Sequence, residues 1–309
     1  MSARNVCVAF LAAALVTARW AEAAPAPLAP MTADASAALE GLIARGRVAN
    51  PESFRTLAKL RDEVPVLARK ARSGKINVRA LLVVQGKGAL PAILGELRDG
   101  PEASPGGWHA PGATSWTIGL LEAAGHWREP ASAPVFEAVA LHPRAEVAVA
   151  AAAVRALGAL ATDDAVRRLE SIYAARGDLR QALAPAMGEC RRLAMVRFLA
   201  QKLEGALPAD AAPLVMGLGQ AASAWPWHTP ALEQRGEGDA ARRMAFDVLV
   251  GRYASADEAL RPAVVEALWL VDLSDGPSLV RGRNVTPRSP AAAALAELAT
   301  KLEKSPLRR

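Results

Sequence analysis

Five glycines recur along this chain at a nearly constant interval. Gly125, Gly158, Gly188, Gly219 and Gly251 are separated by 33, 30, 31 and 32 residues, each near the end of an Ala/Leu-rich stretch. The last four follow an apolar residue: Leu157, Met187, Leu218 and Val250. A period of about 20–50 residues is the mark of a repeat architecture. Around Gly158 the unit is most regular, from Glu146 to Ala174 (EVAVAAAAVRALGALATDDAVRRLESIYA). It reads as two antiparallel helices joined by a polar turn at Ala161-Thr162-Asp163-Asp164, with Val147, Ala151, Val154 and Leu157 on one stripe. Val166, Leu169, Ile172 and Tyr173 make the matching stripe on the second helix.

One such pair cannot stand alone. Ordering 30 residues costs on the order of 45 kcal/mol, at about 1.5 kcal/mol per residue. Two short alanine-rich helices bury too little surface to offset that. Stacked between neighbours, each unit buries both flanks. Composition agrees with helices: 52% hydrophobic, 22% charged and only 5% aromatic, with no sustained alternation of β-branched residues.

The spacing divides the chain as follows. Residues 1–23 predict a secretory signal peptide: Arg4, an apolar run of 12 residues from Val6 to Thr17, then Ala21-Glu22-Ala23 as an A-x-A cleavage site. The run is short of the roughly 20 residues a membrane span needs. Cleavage after Ala23 removes Arg4, Arg19 and Glu22, so the net charge falls from +6 to +5. It also leaves Cys190 as the only cysteine, so no intrachain disulfide can form and packing must hold the fold. Residues 24–31 are an Ala/Pro tether. Residues 32–75 hold N-terminal helices: one from about Thr32 to Arg47, and one opened by Asn50-Pro51-Glu52 and kinked or split at Pro65. Repeats fill 76–274, interrupted by irregular insertions at 99–116 and 224–230. The final pair of the array is Asp239 to Tyr253 with Ser255 to Val271, the latter opened by Ser255-x-x-Glu258 as a capping box. A loop follows at 275–288, then a capping helix at 289–303 opened by Ser289-Pro290, and a tail at 304–309.

The central unit resembles a bacterial HEAT repeat. The residues that carry the likeness are His142-Pro143, Glu146-Val147, Ala150-Ala151, Leu157-Gly158, Asp163-Asp164, Ala165-Val166 and Leu169. The likeness is closest here, looser over 177–204 and 238–271, and loosest over 76–141. It lapses at the two insertions and before residue 75. It implies an all-α fold, a right-handed α-solenoid of roughly six HEAT-like antiparallel helix pairs. It also implies use as a binding surface, and it carries no catalytic residues.

Two groups of residues are candidates for that surface. Trp108-His109, Trp116, His126-Trp127 and Trp225-Pro226-Trp227-His228 cluster in or beside the insertions. Loops often carry binding residues, and tryptophan supplies broad contact area with a polar handle. They form either one Trp/His-lined patch or separate lids over solenoid core. Arg167-Arg168, Arg191-Arg192, Arg197 and Arg242-Arg243 form either a stacked basic ridge or ordinary solvated helix faces. Arg167 and Arg197 each fall nine residues after a periodic glycine. A ridge would hold phosphates or an acidic partner. Cys190 lies beside two arginines that favour a thiolate, or else fills core.

Enzymatic constellations are missing from the sequence. None of the four histidines stands in a paired metal-ligand spacing. Gly217-Leu218-Gly219 and Gly86-Lys87-Gly88 follow no strand and lack the Gly-Lys-Ser/Thr ending of a phosphate loop. No metal or cofactor is implied. The resulting expectation is a non-enzymatic periplasmic or secreted scaffold that engages a protein or peptide. The alternatives are a basic solenoid that binds nucleic acid or another polyanion, and an accessory or assembly factor of an envelope complex.

Overall fold

A computed structural model describes residues 31–70, 77–100, 112–227 and 229–306. The signal peptide, most of the tether, most of the 99–116 insertion and the end of the tail lie outside them. Among the described residues the regular structure is helical, with no strand. The helices are α1 (Ala33–Ala49), α2 (Pro51–Lys70), α3 (Val78–Val83), α4 (Leu90–Asp99), α5 (Ala113–His126) and α6 (Ala133–Leu141). Then come α7 (Val147–Ala159), α8 (Asp163–Ala175), α9 (Arg180–Met187), α10 (Leu193–Glu204) and α11 (Pro208–Ala221). After the short α12 (Ala224–Trp227) and α13 (Pro230–Glu233) follow α14 (Gly238–Ser255), α15 (Arg261–Val271), α16 (Gly276–Arg281) and α17 (Pro290–Glu303).

Local chemistry sets the boundaries. Thr32, Thr162 and Ser289 each cap a helix, accepting from the amides of Ala35, Ala165 and Ala292 at 3.3, 3.0 and 3.1 Å. Asp163 and Asp164 add favourable charge to the first turn of α8. The hairpin between α7 and α8 turns at Ala161, which sits in the left-handed region at φ 50°. Pro65 lies inside α2 without splitting it.

The long helices sort into two rows. In the first, α3, α5, α7, α9, α11 and α15 each pack on the next. In the second, α4, α6, α8, α10, α14 and α17 do the same, and α1 and α2 close the end at α4. The chain alternates between rows, with α12 and α13 inserted between α11 and α14.

The rows differ in composition because they differ in surroundings. A first-row helix has neighbours on both sides along the row and a second-row helix behind it. In α7 every residue from Val149 to Val154 is buried, as are Ala156, Leu157 and Gly158. Val147, expected on the buried stripe, is 51% exposed at the first position of α7, where burial begins only at Val149. The second-row helix α8 buries one stripe only: Ala165, Val166, Leu169, Ile172 and Tyr173, as the sequence predicts.

Four of the periodic glycines mark where one first-row layer meets the next. A Cβ on Gly125 would stand 3.0 Å from Ala156 Cα, and one on Gly158 3.0 Å from the Cys190 nitrogen. On Gly188 it would stand 2.8 Å from the Gly217 oxygen, and on Gly219 2.7 Å from Ala267 Cα. Gly251 does not belong to this series. It lies on α14, in the second row, with nothing within 4 Å of its would-be Cβ. The insertion lengthens the step from α11 to the next first-row helix, so the residue in register is Ala267 on α15.

Two further expectations are corrected. Ser255 does not open a capping box: it is the last residue of α14, its hydroxyl donates back to the Gly251 and Arg252 carbonyls, and the Asp257 carboxylate takes the Leu260 amide at 2.9 Å instead. The 275–288 segment is not all loop, since α16 forms within it and packs on α17.

Gly219→Ala is therefore expected to cost about 1–3 kcal/mol, as overpacking does. Gly251→Ala is expected to add about 0.5–1 kcal/mol, the helix-propensity difference. Urea melts of the two variants should move in opposite directions.

Candidate functional site

The described tryptophans do not converge. Trp116 on α5 and Trp227 on α12 are 6% and 4% exposed, and α7, α9 and α11 stand between their helices. Both are packing residues. The Trp227 indole also donates to the Ala221 carbonyl at 2.9 Å, closing the end of α11. Trp127 is half-buried and meets His126 edge-on at 6.2 Å, while Trp225 stands 80% exposed. Trp108, His109 and His228 lie outside the described residues. The single-patch expectation is thus corrected for Trp116 and Trp227, whose rings fill core.

The arginines do not form a free ridge either, because the ends of helices consume them. Terminal carbonyls have no partner within their own helix. Arg191, 9% exposed, donates to the carbonyls of Gly188 and Gln220, and burial pushes its guanidinium below the ordinary value. Arg242 donates to Val271 O at 2.9 Å and to Asp272 O. Arg176 reaches Ala140 O at 2.9 Å. These links span 29, 29 and 36 residues, close to the interval between the periodic glycines. Arg168 pairs with Glu137 and Asp164, Arg167 with Asp164, and Arg243 with Asp275. Arg197 alone of the seven is exposed without a partner among the described residues.

Arg192 is the best-tied of them. It grips Glu237 through Nε and Nη2 at 3.0–3.2 Å and Asp163 at 2.7 Å. Glu237 also accepts the Leu193 amide at 2.8 Å, capping α10. Burial raises the Glu237 carboxyl, but the bonds from Arg192 and the Leu193 amide outweigh it and hold the carboxyl below its ordinary value. Cys190 shows the opposite balance. It is fully buried, and burial pushes its thiol up to about 12 against the pull of Arg192, Arg191 and Arg235.

Among the described residues, a cleft of about 280 Å³ opens on the first row. Its floor is small: Gly125 of α5, and Ala152, Ala156 and Ala159 of α7. Around it stand Arg79 of α3, Glu122 and His126 of α5, Arg128 in the turn after α5, Arg155 of α7, and Glu189 after α9. Arg79, Arg128 and Arg155 make no ion pair or hydrogen bond among the described residues. Glu189 lies 3.6 Å from Arg191. Arg128 occupies the left-handed region at φ 51°, the same turn position that Ala161 fills one layer on. Sequence reading reached only His126 of this group. Arg79, Arg128 and Arg155 are far apart in the chain, although Arg155 is the single charged residue of α7.

A second groove of about 270 Å³ lies between α8, α10 and the start of α11. Tyr173 and Phe198 meet edge-on at 5.6 Å, with Arg180 over the first ring and Lys202 over the second. Both cations are thus already engaged by the aromatic faces beneath them.

Among the described residues no cluster of His, Cys, Asp and Glu is placed to hold a metal, and no helix is long and apolar enough to cross a membrane. Compared with known proteins, the chain matches no family model, and no curated protein or solved structure matches it significantly.

Two outcomes follow from these environments. Native protein at mildly alkaline pH should leave Cys190 unmodified by a thiol-reactive dye, with full labelling on denaturation; labelling at the rate of a free thiol would contradict its burial. Glu237→Gln should cost about 1–3 kcal/mol, the range for bonds to charged groups. Because the folded carboxyl is depressed, its contribution is present above the ordinary value of 4.5 and is lost as pH falls below it. The gap between native and variant melts should therefore close in acid.

Proposed function

We propose that this chain is an exported, non-enzymatic HEAT-like α-solenoid scaffold that holds a protein or peptide against its first row of helices. The observation that carries this reading is the open cleft at Arg79, Arg128 and Arg155, which spans α3, α5 and α7 of the first row. The strict alternation of two helix rows supports a solenoid of stacked pairs. Export rests on the apolar run from Val6 to Thr17 and the Ala21-Glu22-Ala23 site.

A scaffold suits the site better than a reaction does. The cleft is shallow-floored and smaller than the roughly 300–1,000 Å³ of small-molecule pockets. Its volume accepts side chains of a larger partner. Nucleic acid is the less favoured occupant, since Arg168, Arg191, Arg192 and Arg242 are tied to carboxylates and carbonyls and supply no continuing basic track.

In-cell crosslinking of the native protein, followed by identification of what is attached, tests the reading. A mature N-terminus at Ala24 and a protein crosslinked through α5 or α7 are expected. Recovery of an intact Met1 from the cytoplasm would remove export, and crosslinks to nucleic acid alone would remove the protein-scaffold reading.

A further inference from the structure

We infer that the cleft between α3, α5 and α7 is a docking site for an acidic, extended peptide segment, gripped through two of its carboxylates by Arg79, Arg128 and Arg155. This rests on the scaffold reading and names its partner's chemistry. Three guanidinium groups line one cleft, and none has an ion pair or hydrogen bond among the described residues. Of the two acids beside them, Glu189 is committed to Arg191 at 3.6 Å. The lining therefore sets three guanidinium groups against two carboxylates, Glu122 and Glu189, the second already paired outside the cleft, so positive charge is in excess. Guanidinium groups match carboxylates as paired donors to paired acceptors.

The shape selects a chain in extended form. The small floor residues Gly125, Ala152 and Ala156 let a backbone lie close to the helices while its side chains reach the rim. The cleft runs across three successive first-row helices. At about 8–10 Å between neighbouring axes, that is on the order of five or six residues of extended chain. A phosphate backbone fits worse, because the arginines beyond the cleft are occupied and supply no continuing basic track.

Arg128 supplies a discriminating variant. It is a non-glycine residue at φ 51°, a turn conformation that glycine adopts without steric cost. Arg128→Gly should raise or preserve the melting temperature and weaken binding at the same time, which a loss of fold cannot mimic.

The test is fluorescence anisotropy on the full mature chain, with a labelled short peptide of alternating Glu and Ala as the probe. Its Gln-for-Glu counterpart and a single-stranded oligonucleotide are the comparisons. Binding of the Glu peptide alone is expected, weakened about tenfold or more by Arg128→Gly and by Arg155→Glu, and unchanged by Arg197→Glu at an exposed arginine elsewhere. If Arg155→Glu does not fold, Arg79→Glu replaces it. Absence of Glu-peptide binding, equal binding of the Gln peptide, tighter binding of the oligonucleotide, or wild-type affinity in the Arg128 and Arg155 variants would each overturn the inference. A protein partner found by crosslinking together with a silent Glu peptide would leave the scaffold reading standing and this one refuted.

Discussion

The structure depends on how closely its first-row helices approach one another. At Gly125, Gly158, Gly188 and Gly219 the glycine itself puts no side chain between layers, and it faces Ala156, Cys190 and Ala267 at three of the sites and Gly217 with Gln220 at the fourth. Close approach gives each helix more van der Waals contact per residue, which is how an alanine-rich chain makes up for its lack of large side chains. It also explains why α7 is apolar nearly all round while α8 is not. Where layers are this close, there is little room for polar side chains between them, and such groups are driven to the ends of the helices.

At the helix ends, arginine takes over. Helix ends leave carbonyls without partners within the helix, and guanidinium groups from the same turn or from a neighbouring layer, earlier or later in the chain, take them. Arg176, Arg191, Arg192 and Arg242 all do this, to Ala140, Gly188, Ala161 and Val271 among others. The charge that gives the chain its basic character is thus largely spent on internal bonds. The three arginines of the cleft differ in lining one opening together.

Much of the fold was legible in the sequence because the constraint is written in single letters. At Gly125, Gly158, Gly188 and Gly219 a side chain would crowd the next layer, so the period shows as one residue type. The same letter misleads at Gly251, which lies on an open face where nothing forbids a side chain. The short α16 was unreadable because glycine and proline at its start look like a turn. Arg191 and Arg242 looked like surface charge because sequence does not reveal which carbonyls end beside them. The cleft was least legible. Arg79, Arg128 and Arg155 belong to three different elements and come together only through the stacking of layers. Trp227 and Trp116 drew attention by their residue type, and burial settled them as core.

The segment of α12 and α13 carries a further consequence. Arg235, just beyond α13, bonds to the Ala161 carbonyl 74 residues back, and Glu237 closes on Arg192 across 45. Most other layer-to-layer links span close to one repeat. A contact between neighbouring layers joins segments close in the chain, whereas the Arg235 bond joins the segment after α13 to the α7–α8 turn. Contacts of such long span close larger loops of chain than those between neighbouring layers, so this segment raises the share of non-local contacts in an otherwise locally connected fold.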